Sequence, residues 1–134
     1  MSYFKVKTQS LELVANEKGK MVQEKHNVMV EANSGVEAST IAQELFPNSD
    51  VTACVMQEHV EVCAMKNDEE SVYCKVKVKQ QIDEDKKSIW YWYFGAKDQC
   101  EAQKKAVEYI KQGYEDFSIV GCNVTSIENI YPIA

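Results

Sequence analysis

The chain has 134 residues, room for one domain or at most two very small ones, and 15 basic against 21 acidic side chains leave a net charge of −6. At 45% hydrophobic and 27% charged it is globular in composition, which excludes disordered and collagenous classes. Every basic residue is lysine, so the arginine-rich face of a duplex-binding protein is not expected.

The chain opens on a period-2 strand. Phe4 and Val6 share one face, while Tyr3, Lys5 and Lys7 share the other, and the pattern continues through Leu11 and Leu13. Asn16-Glu17-Lys18-Gly19 is a turn signal, and a second strand is predicted over 21–31. Ser34 reads as a helix N-cap with Glu37 completing a capping box. Ala38, Ile41, Ala42 and Leu45 then line one face of a helix over 34–46, stopped by Pro47 and Asn48. Val51 to about Cys63 is predicted as one strand, bent if needed, followed by a polar link over 64–71. The same order follows again: a strand at 72–80, a turn at Asp83–Lys87, a strand at 88–95, and a helix at 98–113. Asp98 and Glu101 form its capping box, Ala102, Ala106, Tyr109 and Ile110 its stripe, and Gly113 its stop. A strand over 117–131 closes the chain.

The chain therefore reads twice. Tyr3-Phe4-Lys5-Val6-Lys7 returns as Tyr73-Cys74-Lys75-Val76-Lys77, and Ser34-Gly35-Val36-Glu37-Ala38 as Asp98-Gln99-Cys100-Glu101-Ala102. Thr52-Ala53-Cys54 parallels Val120-Gly121-Cys122, and Val60-Glu61-Val62-Cys63 parallels Glu128-Asn129-Ile130-Tyr131. Four ordered matches point to a duplicated unit. The expected architecture is α+β: one domain over 1–134 made of two ββαβ pseudo-repeats, 1–66 and 67–134. Antiparallel sheet, shared or paired, carries both helices on one face. A single unit of this size would bury too little surface to be secure alone.

Comparing the halves assigns the faces. Trp90, Trp92 and Phe94 align with His26, Val28 and Val30, so Trp92 and Phe94 belong to the core. Cys74, Val76 and Val78 point inward with them. Tyr91 and Tyr93 then point away from the helix, together with Tyr73, Lys75, Lys77 and Lys79 on the hairpin partner. The first unit adds Tyr3, Lys5 and Lys7. Lysine interleaved with aromatics suits a stacking platform, where rings take base faces and ammonium groups meet phosphates. The same residues also suit a subunit interface, because exposed aromatic patches mark contacts.

No catalytic constellation is legible. P-loop, G-x-G-x-x-G, G-x-S-x-G and H-E-x-x-H patterns are absent. Cys54, Cys63, Cys74, Cys100 and Cys122 are odd in number and lack C-x-x-C spacing, so they read as reduced thiols. His59 is poorly placed to activate Cys54 or Cys63 along an extended strand, and His26 reads as a packed or edge histidine. Asp83-Glu84-Asp85 reads as a solvated hairpin tip without the spaced ligands of a Ca²⁺ loop. A non-enzyme without metal or cofactor is expected.

The Tyr-Phe-Lys-Val-Lys and Tyr-Cys-Lys-Val-Lys openings, the acidic-Ala helix starts and the Glu61-Val62-Cys63 and Asn129-Ile130-Tyr131 endings resemble domain-of-unknown-function family 4494. The resemblance covers nearly the whole chain. It implies a source among Bacteroides-type bacteria and their phages, and it carries no active site to transfer. The aromatic run Trp90-Tyr91-Trp92-Tyr93-Phe94 departs from the plainer aliphatic strand expected of that family. The functional expectation is a non-enzymatic, phage-related binder of a nucleotide, such as a sequestered messenger, or of single-stranded nucleic acid. The alternative is an oligomeric interaction module with the aromatic strand as its seam. A homo-oligomer, by default a dimer, is expected in either case. The N-terminus MSYFKVKTQS lacks an apolar signal core, and no apolar run is long enough to span a membrane. A cytoplasmic location is expected, that of the host if the protein is phage-encoded.

Overall fold

A computed structural model of the protein describes residues 1–68, 71–113 and 116–132. Residues 69–70 of the expected polar link lie outside these. The elements run β1 (Ser2–Ala15), β2 (Met21–Ala32), α1 (Gly35–Leu45), β3 (Ser49–Gln57), β4 (Val60–Ala64), β5 (Val72–Gln81), β6 (Lys87–Ala96), α2 (Gln99–Lys111), β7 (Phe117–Val124) and β8 (Ile130–Tyr131). The fold is α+β, with two four-stranded sheets ordered β3-β1-β2-β8 and β4-β6-β5-β7. Unit 1 comprises Met1–Glu58 with the segment from Ile127, and unit 2 comprises His59–Ser126. No helix among the described residues is long and apolar enough to cross a membrane.

The central pairings are antiparallel: β1 with β2 and β3, and β5 with β6 and β7. The outer strands β8 and β4 lie parallel on β2 and β6. These outer strands are exchanged. Val60–Ala64 follows the first helix in sequence yet completes the sheet of unit 2, and Ile130–Tyr131 completes the sheet of unit 1. The continuous strands expected over 51–63 and 117–131 are therefore each two strands. His59, in the left-handed region at φ 54, ends the extended run of β3, and residues 125–129 separate β7 from β8.

Local chemistry explains the shared elements. The Ser34 hydroxyl accepts the Glu37 backbone N–H at 3.1 Å, and the Asp98 carboxylate accepts that of Glu101 at 2.8 Å. Each bond satisfies an amide that the first helical turn leaves unpaired. At the β1–β2 turn, Asn16 Oδ1 accepts the N–H groups of Lys18 and Lys20, and Gly19 takes φ 76. Asp83 Oδ1 accepts those of Asp85 and Lys86 at the β5–β6 turn. Short polar side chains that mimic a backbone acceptor make these turns. Both first strands bulge at the same place: β1 against β3 between Lys7 and Thr8, and β5 against β7 between Lys77 and Val78.

Each helix covers one face of its own sheet with buried alanines, Ala38 and Ala42 on α1, Ala102 and Ala106 on α2. Small residues four apart let the helix axis approach the strands closely. Phe4, Val6, Val28 and Val30 fill the core of unit 1, as Cys74, Val76, Val78, Trp92 and Phe94 fill that of unit 2. Trp92 is fully buried, with its ring edge-on to Tyr109 at 5.0 Å and tilted against Phe117 at 4.9 Å.

Candidate binding face

The strand alternation that sends Cys74, Val76 and Val78 into the core sends Lys75, Lys77 and Lys79 to the sheet face away from α2. Across β6 the same face carries Tyr93, Tyr91 and Ile89, opposite Lys75, Lys77 and Lys79 in that order. Across β7 it carries Asn123, Gly121 and Ser118 in the same order. The Lys75 ammonium sits over the Tyr91 ring, 4.9 Å from its centroid, a cation–π arrangement. Lys87 enters from the end of β6 beside Lys79. A side-chain hydrogen bond with Lys87, and after it the like charge of that ammonium, holds Lys79 below the usual lysine range. Among the described residues no carboxylate lies within ion-pair distance of Lys75, Lys77, Lys79 or Lys87. In a chain of net charge −6, this face keeps a local excess of cations.

Two of the expected platform residues are not accessible. Tyr73 and Tyr93 do lie on the face away from α2, but they are 2% and 1% exposed. The reason at Tyr73 is visible in unit 2 itself. The chain at Met65–Lys66 crosses this face: the Lys66 N–H donates to the Tyr73 hydroxyl at 3.2 Å, and that hydroxyl points to Met65 Sδ at 3.6 Å. Gly95, directly opposite Tyr73, permits the crossing, because a Cβ there would stand 2.3 Å from the Lys66 nitrogen. Burial pushes the Tyr93 phenol up to about 12, with Tyr91 adding to the shift. Neither ring can receive a stacked base, so Tyr91, half-buried, is the platform's aromatic surface.

Tyr3, Lys5 and Lys7 occupy the matching places on β1, opposite Glu31, Met29 and Asn27. They belong to the other sheet, so the nine residues form two groups rather than one. Lys7 is exposed, Tyr3 and Lys5 are half-buried, and Glu31 stands where unit 2 has Gly95. The first group thus lacks the aromatic neighbours of the second, and Glu31 adds a carboxylate to its strand pair. Lys87 and Asn123 join the platform without having been expected. By sequence Lys87 reads as the end of the 83–87 turn, and Asn123 reaches the face only through the register of β7.

The remaining titratable groups are placed structurally. His26 stacks on Phe46 at 4.2 Å, and its two ring nitrogens face Glu128 at 2.8 Å and Glu24 at 3.2 Å. His59 packs edge-on to Trp90 at 5.1 Å, while the Cys54 thiol points to the Gly35 carbonyl at 3.6 Å. Burial pushes the Cys63 thiol up to about 12 and the Cys74 thiol to about 11, which keeps both protonated and poorly nucleophilic at neutral pH. Among the described residues no three His, Cys, Asp or Glu side chains converge to hold a metal ion.

A two-sheet α+β chain with an exchanged outer strand in each sheet, and a lysine-lined face on one of them, is the class the geometry defines. The chain belongs to the family described as Domain of unknown function (DUF4494), whose model matches residues 2–133. No match is found among curated proteins.

Proposed function

We propose that the protein is a non-catalytic binder of a nucleotide or a short single strand, held on the unit 2 face by Lys75, Lys77, Lys79, Lys87 and Tyr91. In the phage-related form of this reading the nucleotide is a messenger, sequestered and not turned over. The observation that carries the reading is the lysine row around Tyr91, in which Lys79 and Lys87 crowd each other and no carboxylate compensates them among the described residues. Bound phosphate would relieve that repulsion, and the Tyr91 ring offers a base one face to stack on. Titration of ATP, a cyclic dinucleotide and a short oligothymidylate, followed by thermal shift and fluorescence, tests it. Tyr91→Ala should weaken binding by ~1–3 kcal/mol. Lys77→Ala should weaken it and flatten its salt dependence. No binding of any of the three at millimolar concentration overturns the reading.

The oligomeric alternative draws on different residues from those expected. The aromatic strand β6 lies inside its sheet, flanked by β4 and β5, so it offers no free edge for a seam. The exposed apolar side chains Val120 and Val124 lie instead on the edge strand β7. A dimer of the 15.3 kDa chain in light scattering, dissociated by Val124→Lys and unaffected by Tyr91→Ala, would favour this second reading.

A further inference from the structure

Within unit 2, α2 and the outer strand β4 flank an open groove of about 310 Å³. Cys63 and Ala64 of β4, Phe94 of β6 and Tyr109 of α2 make its apolar walls. Unit 1 shows what such a place can hold. There β8 lies on β2 as β4 lies on β6: Ile130 and Tyr131 stand opposite Met29 and Val30, while Val62 and Ala64 stand opposite Tyr93 and Phe94. Met29 and Val30 are themselves opposite Lys5 and Phe4, as Tyr93 and Phe94 are opposite Lys75 and Cys74. Tyr131 therefore holds in unit 1 the register place that Ala64, with the bulged Cys63, holds in unit 2. Tyr131 is half-buried and packs on the unit 1 core of Phe4, Val28 and Val30. Where unit 1 supplies a phenol ring of its own, unit 2 supplies a thiol and a methyl group, and the room stays open.

We propose that the groove between α2 and β4 is a binding site for a neutral aromatic ring system, of one or two fused rings, carried by a small molecule. Its volume lies at the lower end of small-ligand pockets, which run from roughly 300 to 1,000 Å³. The Phe94 and Tyr109 rings stand at 83° to each other with centroids 6.0 Å apart; Phe94 is buried at the floor, so the half-buried Tyr109 ring is the aromatic surface a ligand ring meets. The Tyr109 hydroxyl is already committed, donating to Glu61 Oε1 at 2.8 Å, which fixes that wall. The wall formed by Cys63 is uncharged, since burial and the neighbouring Glu61 keep its thiol protonated. The rim is charge-balanced: Lys104 and Lys105 face Glu101 and Glu108 along α2. Lys105 is tied to Glu101 at 3.4 Å and to the Gly95 carbonyl at 2.7 Å. Nothing there demands a charged ligand, in contrast to the lysine face, on which this site does not depend.

Phenol and indole are the probes, with cyclohexanol as the non-aromatic control of similar size. Saturation-transfer NMR should show phenol and indole bound at millimolar concentration and competing with each other, with cyclohexanol much weaker. The ring resonances of Phe94 and Tyr109 should shift on binding. Ala64→Tyr, which supplies the ring that unit 1 already has, should abolish probe binding, and Lys77→Ala should leave it unchanged. Equal binding of cyclohexanol, or undiminished binding by a folded Ala64→Tyr protein, overturns the proposal. Should Ala64→Tyr fail to fold, the wild-type resonances decide: unshifted Phe94 and Tyr109 rings overturn the proposal, and shifted ones uphold it.

Discussion

Units 1 and 2 share a backbone plan and divide its side-chain volume differently. In unit 1 the large ring is on the first strand: Phe4 stands opposite Val30, with Val28 beside it. In unit 2 the first strand carries Cys74, and the rings are on the second, as Trp92 and Phe94. At Phe4–Val30 and Cys74–Phe94 the ring changes strand and a smaller residue faces it, while Trp92 opposite Val76 stands where unit 1 has Val28 opposite Val6. On the opposite face the contrast bears on the proposed binding. Asn27 and Met29 of unit 1 hold the places of Tyr91 and Tyr93 in unit 2, so only the second unit sets aromatic rings opposite its lysines. The framework comes from caps, turns and bulges that both units share, and the proposed recognition chemistry comes from different residues at equivalent places within it.

The most disruptive way to probe that contrast is to truncate the same register place in each unit. Trp92→Ala removes a fully buried ring that packs on Tyr109 and Phe117, and should cost ~3–5 kcal/mol. Val28→Ala, also fully buried, removes two methyl groups at about 0.8 kcal/mol each, so it should cost about 2 kcal/mol. Urea denaturation measures both. Equal losses would show that the two cores do not divide their volume as described.

Next in size is the place where a chain crossing separates the units. Gly95→Ala sets a Cβ at 2.3 Å from the Lys66 nitrogen and 2.5 Å from its Cα, both backbone atoms that cannot rotate away. The expected loss is ~1–3 kcal/mol, as for other overpacked sites. Glu31→Ala, at the matching place in unit 1, should stay within about 0.5 kcal/mol, as surface changes do. Thermal unfolding of the two variants side by side separates these outcomes.

What could be foreseen and what could not follows from the range of the forces involved. Strand alternation, Asx turns and the Ser34 and Asp98 caps are written within a few residues, so the helices, the hairpins and the inward set of Cys74, Val76, Val78, Trp92 and Phe94 were legible. So were Lys75, Lys77, Lys79 and Tyr91 as one face. The exchange of β4 and β8 was not, because a short period-2 strand carries the same pattern whichever sheet it joins. Nor was the burial of Tyr73 and Tyr93, since alternation names a side chain's face without naming what covers it. Gly95 was the available signal: a glycine inside an aromatic strand marks a close backbone approach. The α2–β4 groove was hidden because Ala64 and Cys63 reveal a vacancy only once Tyr131 is seen at the same register place.

The helix caps offer a finer comparison. Ser34→Ala and Asp98→Ala each leave one first-turn amide unpaired and should cost ~0.5–2 kcal/mol. The Asp98 bond is the shorter, and its carboxylate also faces the positive end of the α2 dipole, so its loss should be the larger of the two. Denaturant midpoints measured at low ionic strength test the order, and a costlier Ser34→Ala would reverse it.

The smallest effect separates the units by pH. Burial, with Tyr91 adding to it, raises the Tyr93 phenol from its ordinary 10 to about 12, and burial followed by Glu61 raises the Cys63 thiol from 9 to about 12. Both groups are neutral when protonated, so the folded state holds their protons more tightly than the unfolded chain does. The stability this contributes is fully present below pH 9 and is lost as pH climbs from there towards 12, because only the unfolded chain can then release the protons freely. At the matching places unit 1 has Met29 and Tyr131. Met29 does not titrate, so unit 1 has no counterpart to the Tyr93 contribution. Alkaline unfolding followed by Trp92 fluorescence should therefore report unit 2 weakening across this window. Tyr93→Phe should flatten the slope between pH 10 and 12, and Cys63→Ala should flatten it from pH 9. A slope unchanged in both variants would mean that neither proton is held by the fold.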